Sequence, residues 1–382
     1  MSVVLQKSLI AETEQSQELR RLQAKIRSLG LEVSGINNRR YLGNKYALSD
    51  FIRSVVDRHC QGVEVVADVF SGTGAVADLF KDRVIITNDL LYSNYLSHVA
   101  WFSCEPYRAD LVIDIIDLYN HVYTAEDNYV RANFADTFFS ADNCSKIGFI
   151  REDIETLRED GSISFREYAL LITSLLYAMD RIANTVGHYD AYRKGVRNDD
   201  RLTLRVLLPE EGLSPQNRQY NLDANQLVRH PSFSCDLLYL DPPYNSRQYC
   251  DAYHLLENIA RWEKPAVHGV ARKMDRSRLK SKYSMDTAPR AFRDLITHVG
   301  SKTKYILLSY NNTAKKGSPR SHAKISDKEI LATLEEQGRV TVFEKKYRAF
   351  TTGKSDAQGG NRERLFLCEV GKNRDGDDRE RE

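Results

Sequence analysis

Residues 236–245 read Asp-Leu-Leu-Tyr-Leu-Asp-Pro-Pro-Tyr-Asn, an apolar run stopped abruptly by Asp241-Pro242-Pro243-Tyr244. An unbroken hydrophobic run of this length, bounded by turn residues, predicts a strand. Two consecutive prolines fix φ and remove two N–H donors, so the strand must end there in a stiff turn. A carboxylate, a carbonyl held at a fixed angle by a proline ring, and an aromatic face then lie together at a strand end. That set suits the grip of one flat base through its exocyclic amino group, a chemistry that depends on positioning more than on a reactive side chain. Asp-Pro alone would read as a strand followed by a turn. The apolar strand before it and Asn245 after it favour the functional reading.

Outward from this stretch, the strand–helix rhythm continues on both sides. Upstream, Val63-Glu-Val-Val-Ala-Asp-Val-Phe70 predicts a buried strand that runs into Ser71-Gly72-Thr73-Gly74, and a helix follows over 75–81. Arg83-Val-Ile-Ile-Thr-Asn-Asp89 is a second strand ending on an acid, and a helix is expected over 48–59. Downstream come helices near 251–262, 288–299 and 326–337, a strand over 304–309, and two late strands over 339–346 and 364–370. Such alternation predicts a doubly wound, mostly parallel sheet with helices on both faces. Between about 92 and 230 the pattern is helical instead, with Leu111–Leu118 and Tyr168–Tyr177 as its apolar stretches. The expected division is therefore an N-terminal helical segment 1–35, an α/β domain made of 36–103 and 231–370, a helical insertion 104–230, and a charged, disordered tail 371–382. Within the first segment, Leu19, Leu22, Ile26 and Leu29 line one face of a helix over 11–29, closed by Gly30.

Bulk composition excludes several classes. With 382 residues, 42% of them hydrophobic and 28% charged, the chain reads as an ordinary soluble globular protein. No run approaches the roughly 18 apolar residues of a membrane span, and the first dozen residues turn polar too early for a signal peptide. Six cysteines at 60, 104, 144, 235, 250 and 368 form no CxxC pair, which argues against zinc and a disulfide framework and for a reducing cytoplasm. The histidines show no metal spacing. The net charge is only +2, yet Arg261, Lys264, Arg272, Lys273, Arg276, Arg278, Lys280 and Lys282 crowd into one stretch against Glu263 and Asp275. A second basic group follows at Lys315, Lys316, Arg320 and Lys324. Two such clusters downstream of the proline turn predict a surface that follows a phosphate backbone, with Lys273, Arg276 and Arg278 as representative contacts.

Three motifs fall at predicted carboxyl ends of strands, where ligands lie in a doubly wound sheet. Phe70-Ser71-Gly72-Thr73-Gly74 permits a tight turn and close backbone approach, because glycine has no Cβ to intrude. It lacks the third glycine of a dinucleotide fingerprint, so a pyrophosphate cradle is not expected. Asp89 stands where an acid accepts hydrogen bonds from ribose hydroxyls. Together they point to a nucleoside cofactor without a diphosphate, which S-adenosylmethionine fits.

The ordered set Arg40-Tyr41-Leu42-Gly43-Asn44-Lys45, Phe70-Ser71-Gly72-Thr73-Gly74 and Asp241-Pro242-Pro243-Tyr244 resembles the Dam-like (alpha-group) adenine-specific DNA methyltransferases. The resemblance runs from about 38 to 370, with the helical insertion where that family keeps its target-recognition domain. It implies a Rossmann-like class I methyltransferase fold and S-adenosylmethionine as the methyl donor. By resemblance, Tyr41 and Lys45 flank the cofactor, Phe70 through Gly74 lie against its methionine part, Asp89 holds its ribose and Asp223 meets its adenine. The usual Asp-Phe at that last position is Asp223-Ala224 here. The stretch from Tyr305 through Asn312 resembles the family's next strand.

In this reading Asp241 and the Pro242 carbonyl accept the two hydrogens of adenine's N6, and Tyr244 stacks on a base extruded from the duplex. No Pro-Cys pair exists to serve a covalent route on cytosine carbon 5. In the insertion, His188, Tyr189 and Arg193 are the expected base-contacting side chains of a glycine-flanked polar-aromatic loop. The expected function is site-specific methylation of double-stranded DNA as the modification half of a restriction–modification system. The partners would be DNA and a cognate restriction endonuclease, with no metal and no membrane, in the cytoplasm at the nucleoid. An RNA adenine or cytosine N4 methyltransferase keeps the same chemistry on another substrate, and a DNA-binding module without catalysis is the alternative from a different class.

Overall fold

The computed structural model describes residues 3–43, 45–194, 200–310, 323–346 and 362–371. Lys315, Lys316 and Arg320 of the second basic cluster, Asn312 and nearly all of the charged tail lie outside these residues. The chain forms two compact units, one of residues 1–42, 96–215 and 255–275 and the other of 43–95, 216–254 and 276–382.

A seven-stranded sheet organises the second unit. Its strands are β1 (Val65–Asp68), β2 (Val84–Asn88), β3 (Arg218–Tyr220), β4 (Leu237–Leu240), β5 (Tyr305–Ser309), β6 (Gly338–Lys346) and β7 (Arg362–Val370). They lie in the order β3-β2-β1-β4-β5-β7-β6, the first five mutually parallel and β7 antiparallel to both β5 and β6. β4 is buried along its whole length, as an apolar run without alternation requires in a central parallel strand. Strand order reverses between β1 and β4, which places a crevice at their carboxyl ends.

Side chains alternate across the sheet. Ala67, Leu238, Leu240, Ile306, Leu308 and Phe366 face a cluster with Ala291, Phe292, Leu295, Ile296 and Val299. Those last five lie on the helix Ala288–Val299, which has Pro289 in its first turn, where the missing N–H costs nothing. The helix Ser49–His59 buries Ile52, Val55 and Val56, none of them in that cluster. The doubly wound α/β arrangement expected from the alternation is the arrangement found.

Beyond residue 200, two details depart from the sequence reading. The helical stretch was expected to run to 230, but β3 and the helix Ala224–Arg229 already belong to the sheet unit. Arg218-Gln-Tyr220 carries no apolar run; this edge strand exists because it pairs with β2 at Ile86, Thr87 and Asn88. The helix expected near 251–262 divides at Tyr253, whose backbone (φ −121°, ψ 22°) leaves helical geometry between Tyr249–Ala252 and His254–Arg261.

The first unit is built from helices, chiefly Ala109–His121, Ala141–Glu159 and Phe165–Ile182. The last is buried on nearly every side and starts at a capping box in which Ser164 and Glu167 satisfy each other's backbone N–H groups. Arg151 is fully buried, and its guanidinium donates to the carbonyls of Ile259 and Ala260 and to the Tyr168 hydroxyl. The N-terminal helix spans Val3–Ser28, longer than expected, with Leu22 and Ile26 buried and Leu19 exposed. No helix among the described residues is long and apolar enough to cross a membrane.

Leu238, at 0% exposure in β4, reports on the sheet core. Leu238→Ala is expected to lower unfolding free energy by about 2–5 kcal/mol in urea titration; a loss well under 1 kcal/mol would show that β4 is not packed as described.

Candidate active site

Register places the two motifs side by side. Asp68, the last residue of β1, pairs with Tyr239 of β4. The glycine turn and Asp241-Pro242-Pro243-Tyr244 therefore leave neighbouring parallel strands at the same edge.

The turn after β1 is fixed from within. Gly72 and Gly74 adopt φ of +54° and +82°, a region that side chains with a Cβ seldom occupy. The Ser71 hydroxyl donates to the Asp68 carbonyl (2.6 Å) and accepts from the Asn88 N–H (3.2 Å), tying the turn to the end of β2. Asp89 is buried, and its two carboxylate oxygens accept the Gly72 N–H (2.9 Å) and the Leu91 N–H (2.8 Å). This acid thus shapes the glycine turn. Phe70 packs edge-on against Tyr283 at 4.9 Å between centroids. Asp223 caps the helix Ala224–Arg229 by accepting from the Asn225 and Gln226 N–H groups, with Lys282 Nζ 3.5 Å away. The half-exposed Leu222 precedes it, and its N–H donates to Asn88.

Asp241 is the electrostatic centre. Lys45 Nζ lies 3.0 Å from its Oδ1 and 3.3 Å from Glu363 Oε1, with all three side chains largely buried. Burial pushes the Asp241 carboxyl up to about 6, while the adjacent Lys45 charge pulls it back. Lys45, for all its burial, is held protonated by Asp241 and Glu363. Asp68 has its carboxyl raised well above the usual range by burial and then by the charges of Asp241 and Asp89. Neither Asp241 Oδ2 nor the Pro242 carbonyl accepts a hydrogen bond among the described residues. Tyr244 is half-buried, its ring edge-on to Tyr310 at 6.3 Å and its carbonyl held by the Lys324 N–H. Around one ammonium the site thus sets several carboxyl groups, a balance that suits a cationic nucleoside and not a pyrophosphate.

Among the residues expected at the site, the sheet unit brings together Lys45, Phe70, Ser71, Gly72, Gly74, Asp89, Asp223, Asp241, Pro242 and Tyr244. Tyr41 belongs to the other unit, where the Arg39 guanidinium lies 5.6 Å from its ring centroid. Glu363 and Ser309 escaped the sequence reading. Only the antiparallel pairing of β7 with β5 brings Glu363 within 3.1 Å of the Ser309 hydroxyl, and no local motif marks it.

The expected DNA-contacting residues divide by environment. Tyr189 is 1% exposed, and its hydroxyl donates to Asp180 at 2.8 Å. Asp180 in turn lies 3.7 Å from Arg39, and burial raises its carboxyl to about 6. Tyr192 packs edge-on to Phe138, and Asn184 brackets Arg193 through both backbone groups. These anchors fix the loop from beneath and leave Arg193 and Lys194 exposed, with no ion pair among the described residues. His188 and Lys273 both face Asp190, at 3.6 and 2.8 Å. Arg276 pairs with Asp251 at 2.6 Å, whereas Arg278 is exposed and without an ion pair among the described residues. Much of the basic cluster is thereby neutralised locally, since Arg261 pairs with Glu257, Lys264 with Glu152 and Lys324 with Asp286.

Comparison with known proteins supplies what geometry does not. Residues 41–316 match the D12 class N6 adenine-specific DNA methyltransferase family. The chain is 35% identical over 292 residues to modification methylase StsI of Streptococcus sanguinis, covering 72% of this chain and 44% of that protein. It is 32% identical over 338 residues to modification methylase LlaI of Lactococcus lactis subsp. lactis, covering 84% and 53%. Type II methyltransferase M.NlaIII of Neisseria lactamica is 30% identical over 327 residues, covering 83% and 93%. The chain thus spans about half the length of the first two relatives and nearly all of the third.

The buried loop anchor gives a direct test. Tyr189→Phe removes a donor from a buried carboxylate and is expected to cost about 1–2 kcal/mol. The loss of melting temperature should be larger at pH 8, where Asp180 is ionised, than at pH 5. Equal melting temperatures for variant and parent at both pH values would exclude the Tyr189–Asp180 bond as an anchor.

Proposed function

This chain belongs to the D12 class of N6 adenine-specific DNA methyltransferases, and we propose that it methylates the exocyclic N6 of adenine at a specific sequence in double-stranded DNA, with S-adenosylmethionine as donor. The observation that carries this reading is the placement of Asp241-Pro242-Pro243-Tyr244 beside the glycine turn, at the carboxyl ends of adjacent parallel strands. When bound, S-adenosylmethionine supplies an electrophilic methyl group on a sulfonium centre. Phe70, Ser71, Gly72 and Gly74 would hold it along the turn, Asp89 at its ribose, and Asp223 with Leu222 at its adenine. Lys45 would flank it.

Adenine's exocyclic nitrogen is a poor nucleophile because its lone pair is delocalised into the ring. The two open acceptors, Asp241 Oδ2 and the Pro242 carbonyl, would each take one N6 hydrogen and favour a pyramidal nitrogen whose lone pair points outward. The proline pair fixes the angle between these acceptors, so orientation and placed negative charge supply the rate. Tyr244 stacks on the base, which must leave the duplex at a cost on the order of a few kcal/mol. The nitrogen must then lose a proton. Asp241, with its carboxyl near 6, can take that proton and pass it to water, whereas Lys45 stays protonated and cannot.

Phosphate contacts fall to the unneutralised cations, with Arg278 in the sheet unit and Arg193 on the anchored loop as leading candidates. His188, Lys273 and Arg276 would contribute after exchanging their acidic partners, and Tyr189 would position the loop. The relatives' names support a role as the modification half of a restriction–modification system; a cognate endonuclease would then be its partner, and the cytoplasm at the nucleoid its place of action.

Incubation with labelled cofactor and DNA, followed by digestion to nucleosides, should place the label in N6-methyladenine; label confined to cytosine or to RNA would overturn the reading. Asp241→Ala should lower transfer by about a thousandfold while cofactor binding survives. Because the ionised carboxylate is the competent form and burial raises its pKa, kcat/KM should fall as pH drops through about 6. Arg278→Ala should reduce the slope of log affinity against log salt by about one; an unchanged slope would remove Arg278 from the contact surface.

A further inference from the structure

We infer that Glu363, seated by Ser309, is a positioning residue that holds the Lys45 ammonium on Oδ1 of Asp241, so that one carboxylate oxygen is committed to the lysine and Oδ2 is left for the adenine amino group. The inference rests on the proposed adenine chemistry but concerns a residue outside every motif in the chain. Its basis is the geometry where three strands end. Leu240 pairs with Leu308, so Asp241 and Ser309 are the next residues on neighbouring parallel strands. Ser309 in turn pairs with Leu365, which brings Glu363 alongside on the antiparallel strand β7. The Ser309 hydroxyl donates to Glu363 Oε1 at 3.1 Å, and the same oxygen lies 3.3 Å from Lys45 Nζ. Lys45 reaches Asp241 Oδ1 at 3.0 Å from a short 3-10 turn ahead of the helix Ser49–His59.

Neutralising Asp241 would require Lys45 alone. A second buried carboxylate is costly unless it does something the first cannot. What Glu363 adds is direction. A lysine tethered only by Asp241 can swing away from Oδ1, because an ammonium is a point charge without the fixed fork of a guanidinium. With Glu363 on its far side, the ammonium stays at the Oδ1 edge. The next residue, Arg364, pairs with Asp327 at 2.6 Å, so the alternation of β7 sends Glu363 inward and Arg364 to another partner. The other titratable groups coupled to Asp241 are Asp68, Tyr239, Tyr244 and Tyr249. Lys45 is the one cation among them at hydrogen-bonding distance in the described residues.

The test is the titration of Asp241 itself, followed by carbon-13 NMR of carboxyl-labelled aspartate in the cofactor-free protein and assigned with Asp241→Asn. If Glu363 acts only through its own charge, Glu363→Leu removes a repulsion and the Asp241 midpoint moves down. If Glu363 holds the lysine in place, the variant loses that lysine from Oδ1 and the midpoint moves up, as it must in Lys45→Met, by about half a unit or more. Ser309→Ala, which keeps both charges and is the milder substitution, should move it upward by less. In methyl transfer the acid limb of kcat should follow in the same order. An Asp241 midpoint that stays in place or falls in Glu363→Leu would overturn the inference. Absence of adenine methylation by the parent protein would overturn the proposed function and leave the titration result standing.

Discussion

Parallel pairing of β1 with β4 is the constraint on which the rest of the site depends. A parallel pair ends with both carboxyl termini at one edge, so the residues that follow each strand are neighbours whatever their separation in sequence. Here Asp68 and Tyr239 are partners, and the glycine turn and the proline turn follow them within a few residues. The turn chemistry on each side is chosen to keep that proximity. Gly72 and Gly74 take backbone angles closed to most residues, and two prolines stiffen the opposite wall. Slipping either strand by one residue would send every side chain to the opposite face of the sheet and dismantle the packing on both sides.

The site also concentrates charge where little water reaches it. Asp241 and Glu363 converge on Lys45, with Asp68 and Asp89 nearby, and burial drives the carboxyl groups of Asp68 and Asp241 upward. Such a cluster is expensive in a fold that uses it for stability alone. It becomes intelligible when two of its acceptors are meant for the substrate's amino hydrogens and the surplus negative charge for a cationic donor. Preorganisation of this kind exacts its cost during folding, before the reaction begins.

The first unit follows a different physical logic. The polar-aromatic loop has its aromatic members turned inward, with Tyr189 on Asp180 and Tyr192 on Phe138. Its outward face carries Arg193 and Lys194. Rigid support from below lets exposed side chains read a partner without first losing conformational freedom. The basic stretch after the proline turn shows the converse. Most of its charges are spent on nearby acids, so a count of lysines and arginines overstates the surface available to phosphate.

The sequence alone determined the local and the covalent. Apolar runs ending in Gly-Thr-Gly, in Asp89 and in Asp241-Pro242-Pro243-Tyr244 specified strands, their ends and the turn chemistry, because those properties depend on residues a few positions apart. The alternation of such elements was enough for a doubly wound sheet. Tertiary structure decided what depends on pairing between distant segments. The edge strand Arg218–Tyr220 has no hydrophobic signal and exists through its neighbour. Tyr189 is polar-aromatic in a glycine-flanked stretch, yet burial against Asp180 takes its ring from solvent. Glu363 lies more than a hundred residues from Asp241, and only strand order brings it to the lysine that they share. Periodicity and turn chemistry act over a few residues and are written in composition, whereas the environment of a charge is set by whatever the folded chain places within a few ångströms of it.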